Sequence, residues 1–119
     1  MEGTRFTREI LLKRVLGDEE LVDEIFAMVL ADVPGIILEL RNHLDSGDIV
    51  QAKGTAHRLK GLGGNVGAMR LFNLAAEIEQ RCKAESSEGI PSLLDEIEKE
   101  FEEMRPELMK TKPSVLPDP

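Results

Sequence analysis

The sequence contains no tryptophan and no tyrosine, and only four phenylalanines. Any core it builds must therefore be mainly aliphatic. Its one cysteine, Cys82, cannot form an internal disulfide and fits a reducing compartment. No apolar run approaches the roughly 20 residues of a membrane span. Residues 1–10 are polar and show no signal peptide, so a cytoplasmic location without membrane contact is expected. Alternating strand patterns are also missing. Two histidines and one cysteine, widely separated, make a poor metal set, and neither a metal nor a cofactor is expected.

What is present is helical. The 119 residues suggest one domain, 41% hydrophobic and rich in Leu and Glu. Thr7–Leu16 reads as a short helix ended by Gly17. Asp18 is an N-cap for a long second helix, with Leu21, Ile25, Met28, Val29, Val33, Ile37, Leu40 and Leu44 at steps of three and four. Pro34 lies inside it and should kink or interrupt it. Asp48 can cap a third helix, Ile49 to Val66, with Gly67 as its C-cap. A fourth follows over about Ala68 to Ala84, with Leu71, Leu74, Ala75, Ile78 and Cys82 on one stripe. Pro91 suits the first turn of a last helix, striped by Leu94, Ile97, Phe101, Met104 and Leu108 and fraying near Pro106. Four long amphipathic helices joined by short loops imply an all-α antiparallel up-down four-helix bundle, with the short additional N-terminal helix capping one end. Residues 1–6 read as a tail, 7–110 as the domain and 111–119 as a disordered tail.

Charge is unevenly spread. Net charge is -8, which argues against nucleic acid as a partner. Yet no acidic residue occurs between Asp48 and Glu77, where Lys53, Arg58, Lys60 and Arg70 give a local charge of +4. Inside this basic stretch stands "AHRLKGLGGNVG", residues 56–67. Interior glycines each cost a helix about 1 kcal/mol relative to alanine. At about 100° per residue, Ala52, Ala56, Leu59, Gly63 and Val66 form the buried stripe, whereas His57 points to solvent among Gly54, Gly61 and Gly64. An outer face stripped of side chains leaves the imidazole open and lets another protein lie against the backbone. The blander reading is that such glycines are merely tolerated. No carboxylate stands near His57 in sequence. Like-charge repulsion from Lys60, one turn away, favours the uncharged, nucleophilic ring, and its ammonium can support an attached phosphoryl group. His43, near the end of the second helix, suits the helix dipole.

The segment "AHRLKGLGGNVGAMRLFNLAAEIE" resembles the histidine-containing phosphotransfer (HPt) domain family, of the type at the C-terminus of hybrid sensor histidine kinases. The resemblance rests on Ala56, His57, Leu59, Lys60, Gly61, Gly67 and the pair Ile78-Glu79, and it covers roughly residues 6–108. It implies a two-component phosphorelay intermediate without its own kinase catalytic domain. His57 would be phosphorylated on a ring nitrogen, usually Nε2, by a receiver-domain aspartyl phosphate and would pass the group to another receiver aspartate. Lys60 would give electrostatic support, and Gly54, Arg58, Gly61 and Gly64 would form the docking surface. The partners implied are receiver domains of response regulators or hybrid histidine kinases, which supply Mg²⁺ themselves; a monomer is expected. Two alternatives stand beside this. One is a helical adaptor that binds a partner through the same face without chemistry. The other is an HPt domain phosphorylated directly by an ATP-dependent kinase domain.

Overall fold

A computed structural model describes residues 6–110. The tail expected over residues 1–6 lies outside them except for Phe6, and the expected 111–119 tail lies outside them entirely. Phe6 is buried against Phe26, with ring centroids 5.5 Å apart, so packing begins one residue before the expected domain boundary. Among the described residues the fold is all helical: α1 (Arg8–Arg14), α2 (Glu19–Asp45), α3 (Ile49–Val66), α4 (Met69–Lys83) and α5 (Ile90–Leu108). None of these helices is long and apolar enough to cross a membrane.

The starts and stops follow local chemistry. Asp18 and Asp48 each accept a hydrogen bond from the backbone N–H three residues on, Leu21 and Gln51, at 3.1 Å. Each thereby satisfies one otherwise unpaired donor of a first turn. α3 ends in a Schellman motif: Gly67 takes φ +79°, its N–H donates to Gly64 O, and Ala68 N–H donates to Gly63 O at 2.8 Å. α2 passes Pro34 without a break, so the expected interruption does not occur. The proline lies on the exposed side, where water can serve the freed carbonyl.

α2 packs against α3 and α5, α4 packs against α3 and α5, and α1 lies against α2. The stripes expected on α3, α4 and α5 are buried as drawn. On α2 Val29, Val33, Ile37 and Leu40 are buried as expected, but the start of the stripe is displaced by one position. Val22, Phe26 and Val29 are buried, whereas Leu21 and Met28 are 37% and 52% exposed. Both ridges are apolar in sequence. Phe26 decides between them, because its ring meets Phe6 and the Arg8 guanidinium.

Candidate functional site

The close pairing of α3 and α4 has a specific cause. A Cβ on Gly63 would stand 3.0 Å from Phe72 N and 3.3 Å from Ala68 O. Glycine there lets the backbone of α4 approach, which is the inward role expected of it. The short connection through Gly67 and Ala68 then folds α4 back along α3. His57 and Glu79 stand equally far in sequence from Ala68, so the hairpin brings them level.

The His57 side chain is 66% exposed, and its Nδ1 lies 3.0 Å from Glu79 Oε2. The other carboxylate oxygen, Oε1, pairs with Lys60 Nζ at 2.7 Å. Glu79 is 13% exposed and Lys60 26%. The Lys60 ammonium foremost, and His57 after it, hold the Glu79 carboxyl below its ordinary range against the opposing effect of burial. Glu79 is therefore ionised at neutral pH and can only accept. The contact requires Nδ1 to carry a proton, which leaves the Nε2 lone pair of an uncharged ring free to attack an electrophile.

This differs from the expected electrostatics. A carboxylate does stand beside His57 in space, and it lies between the imidazole and Lys60. The basic stretch is not one patch either, because folding distributes its cations. Arg58 pairs with Glu39 of α2 at 3.1 Å, Lys60 with α4, and Arg70 with Glu96 and Glu100 of α5 at 3.2 and 3.4 Å. Glu39 also accepts from Thr55 Oγ1 at 3.4 Å and lies 3.6 Å from His43 Nε2. His43 sits at the end of α2, where its carbonyl accepts from Asp48 N–H.

Of the glycines expected on the outer face, Gly54 and Gly61 are open: a Cβ at either would meet nothing within 4 Å. Gly64 is not. Its Cβ would stand 3.2 Å from Phe72 Cδ1, so this glycine seats an aromatic ring of its own chain. Its carbonyl accepts from Arg14 Nη1 at 2.5 Å, which ties α1 to the end of α3. Glu79, Glu39 and Phe72 are thus parts of this region that helix-face reasoning on α3 alone did not reach. The hairpin symmetry about Ala68 was the available signal for Glu79.

Comparison with known proteins shows the family of the chain. The Hpt domain family matches residues 24–107. "Histidine-containing phosphotransfer protein 2" of Arabidopsis thaliana is 26% identical over 95 residues, covering 77% of this chain and 61% of the relative. The chain therefore spans less than two thirds of that relative's length. No solved structure matches. With the larger part of its length, residues 24–107, matched in this way, the chain belongs to the Hpt domain family.

Proposed function

We propose that His57 is the phosphoacceptor of a two-component phosphorelay, taking a phosphoryl group from the aspartyl phosphate of one receiver domain and passing it to the aspartate of another. The observation that carries this is the exposed imidazole held at Nδ1 by Glu79 with Nε2 left free. The Nε2 lone pair attacks phosphorus. An N–P bond forms as the P–O bond to the receiver's aspartate breaks, and that aspartate leaves as a carboxylate. Nδ1 keeps its proton, so the ring becomes cationic as the phosphoryl group arrives. Glu79 then faces a positive ring, an interaction stronger in the product and the transition state than in the free protein. Transfer to the second receiver is the same step reversed.

Lys60 acts chiefly by holding the Glu79 carboxylate in place, and its charge also offsets that of the phosphoryl group. The bare backbone at Gly54 and Gly61 supports close docking by a receiver, with Arg58 and Gly64 at the margins of the same surface. The receiver supplies Mg²⁺; this chain contributes the nucleophile and no kinase machinery. The domain comprises residues 6–110, the buried Phe6 included, and acts in the cytoplasm as a monomer. Its helices form an antiparallel up-down bundle. In support of this, α1 touches the start of α2 through Arg8–Glu19, the end of α5 through Arg8 N–H to Glu107, and the end of α3 through Arg14.

Incubation with a phosphorylated receiver and Mg²⁺ should label this protein with one acid-labile, base-stable phosphoryl group. His57→Gln should abolish labelling, and His43→Gln should leave it unchanged. Full labelling of His57→Gln would refute the assignment.

A further inference from the structure

Three of the four phenylalanines are buried: Phe6, Phe26 and Phe101 are 8%, 1% and 2% exposed. Phe72 is not among them. It is half-buried and lies off the core stripe of α4 formed by Leu71, Leu74, Ala75, Ile78 and Cys82.

Helical geometry shows what it lies beside. Residues seven apart differ by only about 20° around a helix and by about 10 Å along it. Phe72 and Glu79 therefore share one line on α4, as Gly64 and His57 share one on α3. The two lines run side by side. Glu79 touches His57 at one end, and the Phe72 ring lies on Gly64 at the other. Between them are Lys60, whose ammonium pairs with Glu79, and the small, half-buried Ala76. His57 and the Phe72 ring on Gly64 thus lie along one seam of α3 and α4, two turns or about 10 Å apart along the helix axis. Arg14, donating to Gly64 O, steadies the backbone under that ring.

We propose that Phe72 anchors the docked receiver domain, packing against an apolar side chain that the receiver carries about 10 Å from its phosphorylated aspartate. This rests on the phosphotransfer reading of His57. Size determines the occupant. A protein–protein interface of ordinary extent covers about 800 Å² on each partner, roughly a disc of 16 Å radius. Any domain centred on His57 Nε2 with that footprint also covers Phe72. Partly exposed aromatics inside such a footprint gain from desolvation, because they add apolar area with few rotamers to freeze.

The test compares two ways of phosphorylating the same protein. Phosphoramidate is small and needs no docking. Receiver domains phosphorylated with acetyl phosphate and Mg²⁺ must dock; the one used is that which transfers fastest to the parent protein. Phe72→Ala removes the ring. Phe72→Gln keeps an aliphatic stem over Gly64 and so guards against a loss of fold. Both variants should accept phosphate from phosphoramidate at the parent rate. Both should lose about tenfold in transfer from the receiver, through a raised KM with an unchanged rate at saturation. Phe72→Met should recover most of the loss. Receiver transfer within twofold of the parent in either folded variant would overturn the anchor. So would an equal loss with phosphoramidate, which would assign the ring a structural role. Failure of the parent protein to be labelled at His57 by either donor would instead overturn the phosphotransfer reading, and the anchor with it.

Discussion

At the scale of single residues, the site depends on one carboxylate with two partners. Glu79 accepts from His57 Nδ1 with one oxygen and pairs with Lys60 through the other. Losing a charge-assisted hydrogen bond of about 1.5–3 kcal/mol corresponds to roughly ten- to a hundredfold in rate. Glu79→Gln should slow receiver transfer within that range while His57 stays accessible to phosphoramidate; an unchanged rate would show that the contact does not orient the ring. The pH dependence has a definite sign. Glu79's folded carboxyl lies below its unfolded value of about 4.3, so its contribution to stability is complete above that value. The contribution is lost as pH falls through the depressed folded value. In Lys60→Ala the largest cause of the depression is gone, and a carbon-detected NMR titration should show the Glu79 carboxyl titrating higher than in the parent. His57, its exposure and the open Gly54 and Gly61 were legible in the sequence, because helix-face geometry needs only the helical period, whereas the Phe72 ring over Gly64 was not. Glu79 was visible only as part of a quoted motif. Its contact depends on how α4 folds back along α3, which one helix's period does not encode.

At the scale of elements, the glycines of α3 separate by what surrounds them. Gly63→Ala places a methyl against the backbone of α4, which cannot yield without parting the two helices. About 1–3 kcal/mol of stability should be lost. Gly61→Ala meets open space and should gain up to about 1 kcal/mol from helix propensity. Paired denaturant unfolding curves check both signs, and equal effects would contradict the placement of α4. Helix ends were readable from Asp18, Asp48 and Gly67 because caps are local chemistry. The buried face of α2 was read correctly from Val29 onward but was displaced by one position in its first two turns, where Leu21 and Ile25 compete with Val22 and Phe26. Periodicity cannot choose between two adjacent apolar ridges. Phe6 and Arg8, packed on Phe26 from the preceding segment, make the choice.

At the scale of the whole molecule, α1 acts as a staple. Arg8 is 14% exposed and pairs with Glu19 and Asp23 at 2.8 and 2.7 Å, and its backbone N–H donates to Glu107. Arg8→Ala leaves the partly buried Asp23 unpaired and should cost about 2 kcal/mol or more of global stability, read by thermal unfolding. A change within about 0.5 kcal/mol would show that α1 merely rests on the bundle. The spread of ion pairs over α2, α4 and α5 also shows why the +4 stretch forms no basic patch: three of its four cations, Arg58, Lys60 and Arg70, each meet carboxylates of a different helix. The central claim is that Glu79 fixes a proton on Nδ1 so that Nε2 of His57 takes the phosphoryl group. Long-range ¹H–¹⁵N correlation spectra of the imidazole, recorded before and after phosphorylation by a receiver, test it directly. The account predicts a protonated Nδ1 and an unprotonated Nε2 in the free protein, then a phosphorylated Nε2 with Nδ1 still protonated. Phosphorylation at Nδ1, or an unmodified His57 in a labelled protein, would contradict it.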